Sequence, residues 1–408
     1  MRNVIERYSI KILDNYFLLC IVNGLLAICN MEKIAKLDLL IMLAGTVITV
    51  KYFSRRIVLI DIFVLFFILS IAISSLFEDY DYDFWYDGCR KQLYTMQFYF
   101  VGKYLGIYNY KLFKNGIVPF LIVCFVGLYL YISSPEWYMD YKMKIWEGDN
   151  SIIKFYEMSR FSAFWRYPYW ISYGCAIIYS FLLYRSFITK KMMSYDKIIL
   201  SFIFFIAILA QQRAPLSIMS LTTIVYVLVD MPLKYNGRTN HFSPMMSYML
   251  LLFLVIILVL NFMSNDAFIR LLEKLELLND NSRFLRDRAD IFSDFYHKKI
   301  TFWGDGIGRY SHAAFFKGKM AITDQQYMKI LYETGYWGCI GYAIIIGYSI
   351  IKGVQSIKEH FFELNIILFF VIAMTGANCL SNFDQHVAIF WLCCGKITSL
   401  NFDKNNRI

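Results

Sequence analysis

Apolar runs close to 20 residues long recur along the whole chain, separated by short polar stretches. They fall at residues 12–30, 37–52, 57–77, 93–109, 116–133, 163–184, 198–212, 215–231, 245–263, 330–350, 363–380 and 384–400. A helix of about 20 apolar residues matches the hydrocarbon thickness of a bilayer. Inside that layer only helices and closed barrels satisfy their own backbone groups. The pattern therefore predicts an all-α polytopic membrane protein with twelve transmembrane helices. No repeat and no Pro/Gly/Ser-rich linker interrupts it, so residues 1–408 read as a single transmembrane domain.

The polar stretches orient the chain. With the N-terminus in the cytoplasm, the turns "KYFSRR", "YNYKLFKNG", "YRSFITKKMMSYDK", "DMPLKYNGRTNHF" and "IKGVQSIKEHF" are cytoplasmic, and each carries two or more Lys or Arg. The loop "EDYDYDFWYDGCRKQ" on the other side is rich in carboxylates instead. This asymmetry follows the positive-inside rule, with Lys33 and Lys36 running against it. Both termini are then cytoplasmic. Two outward loops are long, 134–162 and 264–329. In the second, Phe268, Leu271, Leu272, Leu275 and Leu278 share one helical face opposite Arg270, Glu273 and Lys274. That face suits either a helix lying in the membrane interface or one packed within the loop. Structured outward loops place the chain's work on that side.

Composition agrees and narrows the classes. Hydrophobic residues make up 58% of the 408 and charged residues only 18%, against about 25% in ordinary soluble domains. The opening "MRNVIERYSIKILDNYFLLC" has no small-residue cleavage site and reads as a retained first helix. The nine cysteines show no CxxC spacing, which supports neither a disulfide framework nor a zinc site. The net charge of +10 belongs to cytoplasmic turns facing membrane lipids. No basic stretch interleaved with aromatics points to nucleic acid.

Arg213 stands out. In "ILAQQRAPLSIMSL" it lies between two apolar runs with almost no loop around it, at the outer surface on this topology. The same side carries Arg160 and Arg166 in "EMSRFSAFWRYPYW", Arg283, Arg286 and Arg288 in "NSRFLRDRADIFSDFY", and Arg309. Arginine bonds phosphate oxygens bidentately and stays charged when partly dehydrated. A cavity ringed by these residues suits a lipid-linked diphosphate. Single arginines at helix ends also snorkel to headgroups, and Asp287 and Asp290 offer internal ion pairs to the 283–288 cluster. Candidate acid–base groups are Asp324, Glu333, His312, Asp305 and Asp290. Asp324 is also placed to cap the helix of "TDQQYMKILYE". With no HExxH, no DxD and no histidine pair at ligand spacing, neither a metal nor another cofactor is expected. Asp61 and Lys103 sit in the inner halves of two runs, either pairing with each other or stabilising the bundle separately. Trp137, Trp146, Phe155, Tyr156, Trp165 and Trp303 suit sugar stacking or interface anchoring.

These residues together resemble a family. Arg160 is followed eight positions on by Pro168, Arg213 lies in "QQRAPL", Arg288 precedes "FWGDGIGRY", and a polar residue precedes "QYMKILYETGYWG". The order is similar to the O-antigen polymerase and ligase superfamily of bacterial envelope proteins. The motifs cover roughly residues 155–345, and the topology covers the whole chain. Two departures are visible: Pro168-Tyr169 stands where the family commonly has Pro-Asn, and Asp324 where ligases usually carry histidine.

The resemblance implies a metal-independent glycosyltransferase acting on sugars carried by undecaprenyl diphosphate at the periplasmic face. It implies that Arg213 and Arg288 hold the diphosphate, and it matches Arg160 to the arginine opening the sixth span. Asp324 is the first choice of base, while Arg166, Arg286, Arg309, His312 and Glu333 are expected to line the substrate. Its departure at Asp324 favours a Wzy-type polymerase, for which a chain-length regulator is a possible partner. A ligase acting on lipid A-core and a flippase of lipid-linked oligosaccharide are the alternatives. A flippase fits less well, because the arginines gather at one face and only Lys103 sits deep.

Overall fold

The structure is a computed structural model. It describes residues 2–28, 37–53, 57–74, 76, 82–105, 111–145, 160–165, 168–189, 192–210, 212–234, 299–311, 322, 325–375, 377–380 and 385–399. Among them are thirteen helices and no strand. In chain order they are α1 (Arg2–Asp14), α2 (Tyr16–Ile28), α3 (Leu37–Phe53), α4 (Leu59–Ser74), α5 (Tyr82–Leu105), α6 (Lys111–Ser133) and α7 (Glu136–Ile145). After these come α8 (Pro168–Thr189), α9 (Ser194–Ala210), α10 (Arg213–Lys234), α11 (Gln326–Gln355), α12 (Ile357–Ala373) and α13 (Gln385–Thr398).

Eleven of the twelve apolar runs coincide with described helices. The run at 245–263 and the amphipathic stretch at 268–278 lie outside the described residues. Three helices are long and apolar enough to cross a membrane: 115–133 within α6, then α8 and α11. The bent pair α1–α2 makes a fourth if counted as one span. That bend corrects the single helix expected at 12–30, since α1 and α2 meet at 66°. The break is at Asn15, whose side chain donates to the Lys11 carbonyl at 2.9 Å and accepts from Asn115 at 2.9 Å. An asparagine amide competes in this way with the helical ladder.

The apolar residues sort by position. α8 is enclosed, with eighteen of its 22 residues buried, against α6, α9, α10 and α12. A helix that is apolar all round belongs in the middle of a bundle. α6 does the opposite on one side. Val118, Ile122, Phe125, Tyr129 and Ile132 recur at three- and four-residue steps and are exposed. α3, α4 and α11 carry similar exposed apolar side chains, among them Leu43, Val50, Leu59, Ile62, Leu69, Ile340 and Ile351. Soluble monomers rarely expose patches beyond a few hundred Å². An apolar exterior around a packed interior is what lipid demands.

The contacts sort the described helices into a bundle with two ends of different chemistry. One end is built on ion pairs. Lys103 near the end of α5 pairs with Asp61 near the start of α4, both fully enclosed. Asp61 also accepts from Tyr52 at 2.5 Å, from Tyr99 at 3.3 Å and from the backbone N–H of Val58 at 3.0 Å. Thus the two inner charges do pair. The same end holds Lys396–Glu363 at 2.7 Å, Lys51–Glu6 at 3.2 Å and the Arg185–Asp196 pair. The other end has glycines, aromatics and arginines.

Breaking a buried pair by deleting one partner leaves an uncompensated charge and costs about 3–5 kcal/mol. Asp61→Ala should therefore lower the thermal unfolding temperature of the detergent-solubilised protein sharply. Asp61→Leu combined with Lys103→Met should recover much of the loss. A single variant as stable as the parent would show that the pair contributes nothing.

Candidate functional site

The glycine-rich stretch "FWGDGIGRY" lies on the first turns of α11, and a break in that helix makes the contact. Gly335 has φ 66° and ψ −171°, a region essentially reserved for glycine. The break takes the Tyr332 and Glu333 carbonyls out of the helical ladder. They accept instead from the N–H groups of Asp305 at 2.8 Å and Gly306 at 3.0 Å, and the Trp337 N–H donates to the Phe302 carbonyl at 3.4 Å. Gly304, Gly306 and Gly308 all have positive φ, which lets the stretch curl against the helix. A Cβ on Gly304 would collide with the Glu333 carbonyl, and one on Gly308 with the Phe84 carbonyl of α5.

A single carboxylate organises this corner. Glu333 is fully buried. It accepts from the N–H of Tyr310 at 3.2 Å and from the Gln92 amide of α5 at 3.1 Å, and Lys329 lies 3.7 Å away. The Gly308 N–H bonds it as well. A glycine-rich loop with inward-facing N–H groups is an anion cradle, and here the chain's own glutamate fills it. Glu333, expected to line a substrate, is thus turned inward as a tie between α5, α11 and the 301–311 segment. Asp305, also considered as an acid or base, is buried and accepts from the Tyr310 hydroxyl. Burial and this carboxylate hold the Tyr310 phenol well above its ordinary range, so it stays a donor. Arg309 remains partly exposed beside them, with Nη1 3.5 Å from the Asp305 carbonyl.

The second corner gathers arginines. Residues 160–165 form a strap across the end of α9, where the Phe161 N–H donates to the Leu209 carbonyl at 3.1 Å. Four residues past Leu209, Arg213 opens α10. The strap that begins at Arg160 is therefore tied to the end of α9, one short turn before the helix that Arg213 opens. The N-terminus of α10, which favours anions, lies there too. Of Arg213 the backbone alone is described.

A lysine that the sequence did not single out holds this strap. α7 turns Tyr138, Tyr141 and Lys142 beneath it. Tyr138 donates to the Ala163 carbonyl at 2.8 Å and Tyr141 to the Phe164 carbonyl at 2.7 Å. Lys142 Nζ donates to Ser162 Oγ at 2.5 Å and to the Trp165 carbonyl at 3.0 Å. Lys142 is buried and has no carboxylate partner among the described residues. Burial pushes its amine down to about 7. In "EWYMDYKMK" it looks like one of several solvated charges, so spacing alone could not have found it.

The two corners share one end of the bundle and are joined through it. Trp165 stacks on Trp170 of α8 at 3.8 Å, and Trp170 meets the edge of His386 at 5.2 Å. Tyr173 of α8 contacts Cys379 Sγ at 3.1 Å. Asn378 donates to the Ile322 carbonyl, and the Ile322 N–H donates to the Tyr310 carbonyl at 3.2 Å. Arg160, Arg309 and the opening of α10 therefore face the same end, with Glu333 buried beneath it. Arg166, Arg286, Arg288, His312 and Asp324 lie outside the described residues, as do Arg283 and Asp290. Among the described residues no group of three His, Cys, Asp or Glu is placed to hold a metal. Comparison with family models, curated proteins and solved structures gives no match.

Two outcomes are expected from this geometry. Glu333→Gln keeps the shape but leaves Lys329 without its charge partner, a change of about 3–5 kcal/mol for a buried pair. It should loosen the 301–311 segment, seen as faster amide exchange at Asp305 and Gly306. Unchanged exchange would refute the tie. The second outcome concerns pH. The Lys142 amine has its folded pKa near 7, below the roughly 10.4 of an unfolded lysine. Between those values the unfolded chain binds more protons, so stability rises with pH through that window. Thermal unfolding of wild type and Lys142→Met from pH 7 to pH 10 should show a flatter rise in the variant. Parallel curves would mean that Lys142 is not neutralised by burial.

Proposed function

We propose that the chain is a Wzy-type O-antigen polymerase: an integral-membrane, metal-independent glycosyltransferase of the bacterial inner membrane. In this reading twelve helices cross the bilayer and both termini are cytoplasmic. The end that carries Arg160, Arg213 and Arg309 faces the periplasm. The ion-paired end faces the cytoplasm, consistent with the basic turns on that side.

The observation that carries the reading is the junction of the strap with α9 and α10. The bond from the Phe161 N–H to the Leu209 carbonyl supports a paired role for Arg160 and Arg213 at a helix N-terminus. Two guanidiniums and a positive helix end, beside an apolar exterior, suit a diphosphate on a lipid. Undecaprenyl-diphosphate-linked oligosaccharide is the substrate this combination fits.

The reaction joins two such molecules. An acceptor sugar hydroxyl attacks the anomeric carbon at the reducing end of the donor chain. The bond from that carbon to the diphosphate oxygen breaks, and undecaprenyl diphosphate leaves with the electron pair. The hydroxyl proton passes to a base, for which Asp324 remains the first choice. Negative charge grows on the leaving oxygen in the transition state, and arginines that bond it more tightly there lower the barrier.

The test uses purified protein and synthetic undecaprenyl-diphosphate repeat units. The expected product is a ladder, formed equally well with a strong chelator present. A reaction that requires added lipid A-core would make the chain a ligase, and no reaction in either case would overturn the assignment. Arg213→Lys and Arg160→Lys keep charge but lose the bidentate fork, a change worth roughly 1.5–3 kcal/mol. Turnover should fall about ten- to a hundredfold at normal abundance. A snorkelling arginine would tolerate lysine without loss.

A further inference from the structure

One short helix gives a whole face to the strap at residues 160–165. In α7, Tyr138, Tyr141 and Lys142 stand at i, i+3 and i+4, so they lie side by side. Each bonds the strap: Tyr138 the Ala163 carbonyl, Tyr141 the Phe164 carbonyl, and Lys142 both the Trp165 carbonyl and the Ser162 hydroxyl. On the other side of α7, Trp137, Met139 and Met143 are exposed. The Ser162 carbonyl accepts from the Trp165 N–H at 2.9 Å, so four consecutive strap carbonyls each have a donor. The Phe161 N–H, tied to Leu209, fixes the start.

The shape so held is strained. Ala163 has φ 46°, in the left-handed region that a residue with a Cβ adopts only at a cost. It is also pressed against α6, where Gly127 leaves room for it: a Cβ on Gly127 would come within 2.5 Å of the Ala163 Cβ. Phe161 meets Tyr131 of α6 edge-on at 5.7 Å, and Phe164 meets Tyr138 at 6.5 Å. A strained main chain persists only where its surroundings over-determine it, and here α6, α7 and the end of α9 do so. Arg160 is the only charged residue of the strap. It is half-buried at the first position, whereas Phe161, Ser162 and Ala163 behind it are buried. Fixing such a group beforehand removes the ordering cost that a ligand would otherwise bear.

We propose that α7 is a positioning element: Tyr138, Tyr141 and Lys142 hold the strap in a shape it would not keep unaided, and this presets Arg160 for a lipid-linked diphosphate. The ligand rests on the polymerase reading, whereas the clamp rests on the bonds to the strap. The three α7 side chains do not touch the substrate, and each acts through Arg160. Loss of a clamp bond therefore weakens binding only while Arg160 is there to be positioned.

The experiment measures binding of undecaprenyl diphosphate, without sugars, to the full chain in nanodiscs. Wild type should bind it saturably. Arg160→Ala should bind about ten- to a hundredfold more weakly, and Tyr138→Phe, which removes one hydroxyl bond, roughly fivefold more weakly. In the Arg160→Ala background Tyr138→Phe should change nothing further, because both losses run through one guanidinium. Ala163→Gly should restore part of the binding lost in Tyr138→Phe, since glycine takes a positive φ without strain. If Tyr138→Phe accumulates poorly, Tyr141→Phe takes its place in the cycle. Additive losses would make the clamp a general support of the fold and overturn the proposal. Full binding by Tyr138→Phe and Tyr141→Phe, no rescue by glycine, or no binding by wild type would each overturn it too. The ladder assay separates the two readings. A ladder with additive losses sinks the clamp alone, whereas coupled losses without a ladder keep the clamp and sink the polymerase.

Discussion

The arginine-bearing end of this bundle depends on one buried carboxylate. Glu333 gathers the N–H groups of Gly308 and Tyr310, the Gln92 amide and the Lys329 ammonium around two oxygens. These partners come from three separate stretches of chain, so one side chain sets how α5, α11 and the 301–311 segment sit together. Such a carboxylate is stable in an enclosed site only when fully coordinated. The break at Gly335 completes the arrangement by lending two main-chain carbonyls to the same segment. Arg309 and the exposed face of α5 are positioned as a result.

The two ends of the bundle use charge differently. At one end ions are matched within the fold, as in Lys103–Asp61, Lys396–Glu363 and Arg185–Asp196. Matched ions fix helices against each other and leave little field for a ligand. At the other end Lys142 is held by a hydroxyl and a carbonyl, and the strap that begins at Arg160 is tied to the end of α9.

Much of the bundle was legible because apolar periodicity is a local property. The runs behind α3, α4, α6, α8 to α10, α12 and α13 stand in the sequence at nearly their structural lengths, whereas α11 extends past its run at both ends. The 66° break at Asn15 was not legible, because one polar residue in an apolar run reads as tolerated. Less of the candidate site was legible. Arg160 and Arg213 were visible as charges out of place, but the tie of the strap to the end of α9 depends on a bond between residues 161 and 209 that no local pattern encodes. Glu333 was noticed but its partners were not, since a carboxylate beside a glycine-rich stretch looks the same whether it faces a ligand or fills the loop itself. Lys142 was hidden because its burial comes from the strap above it, not from its own helix.

The enclosure of α8 constrains how the chain is made. Its interior includes Ser172, Tyr173, Tyr179, Ser180 and Ser186, polar groups that lipid does not satisfy. Tyr179 finds Thr223 at 2.7 Å and Ser186 finds Tyr226 at 3.0 Å, both on α10. Those partners stand 44 and 40 positions later in the chain, so they emerge only after α8. Until then the helix that will occupy the centre must wait at the edge of the translocon or in lipid with these hydroxyls unanswered. The insertion of the helix at the centre of the finished bundle is thus completed only by a helix not yet made.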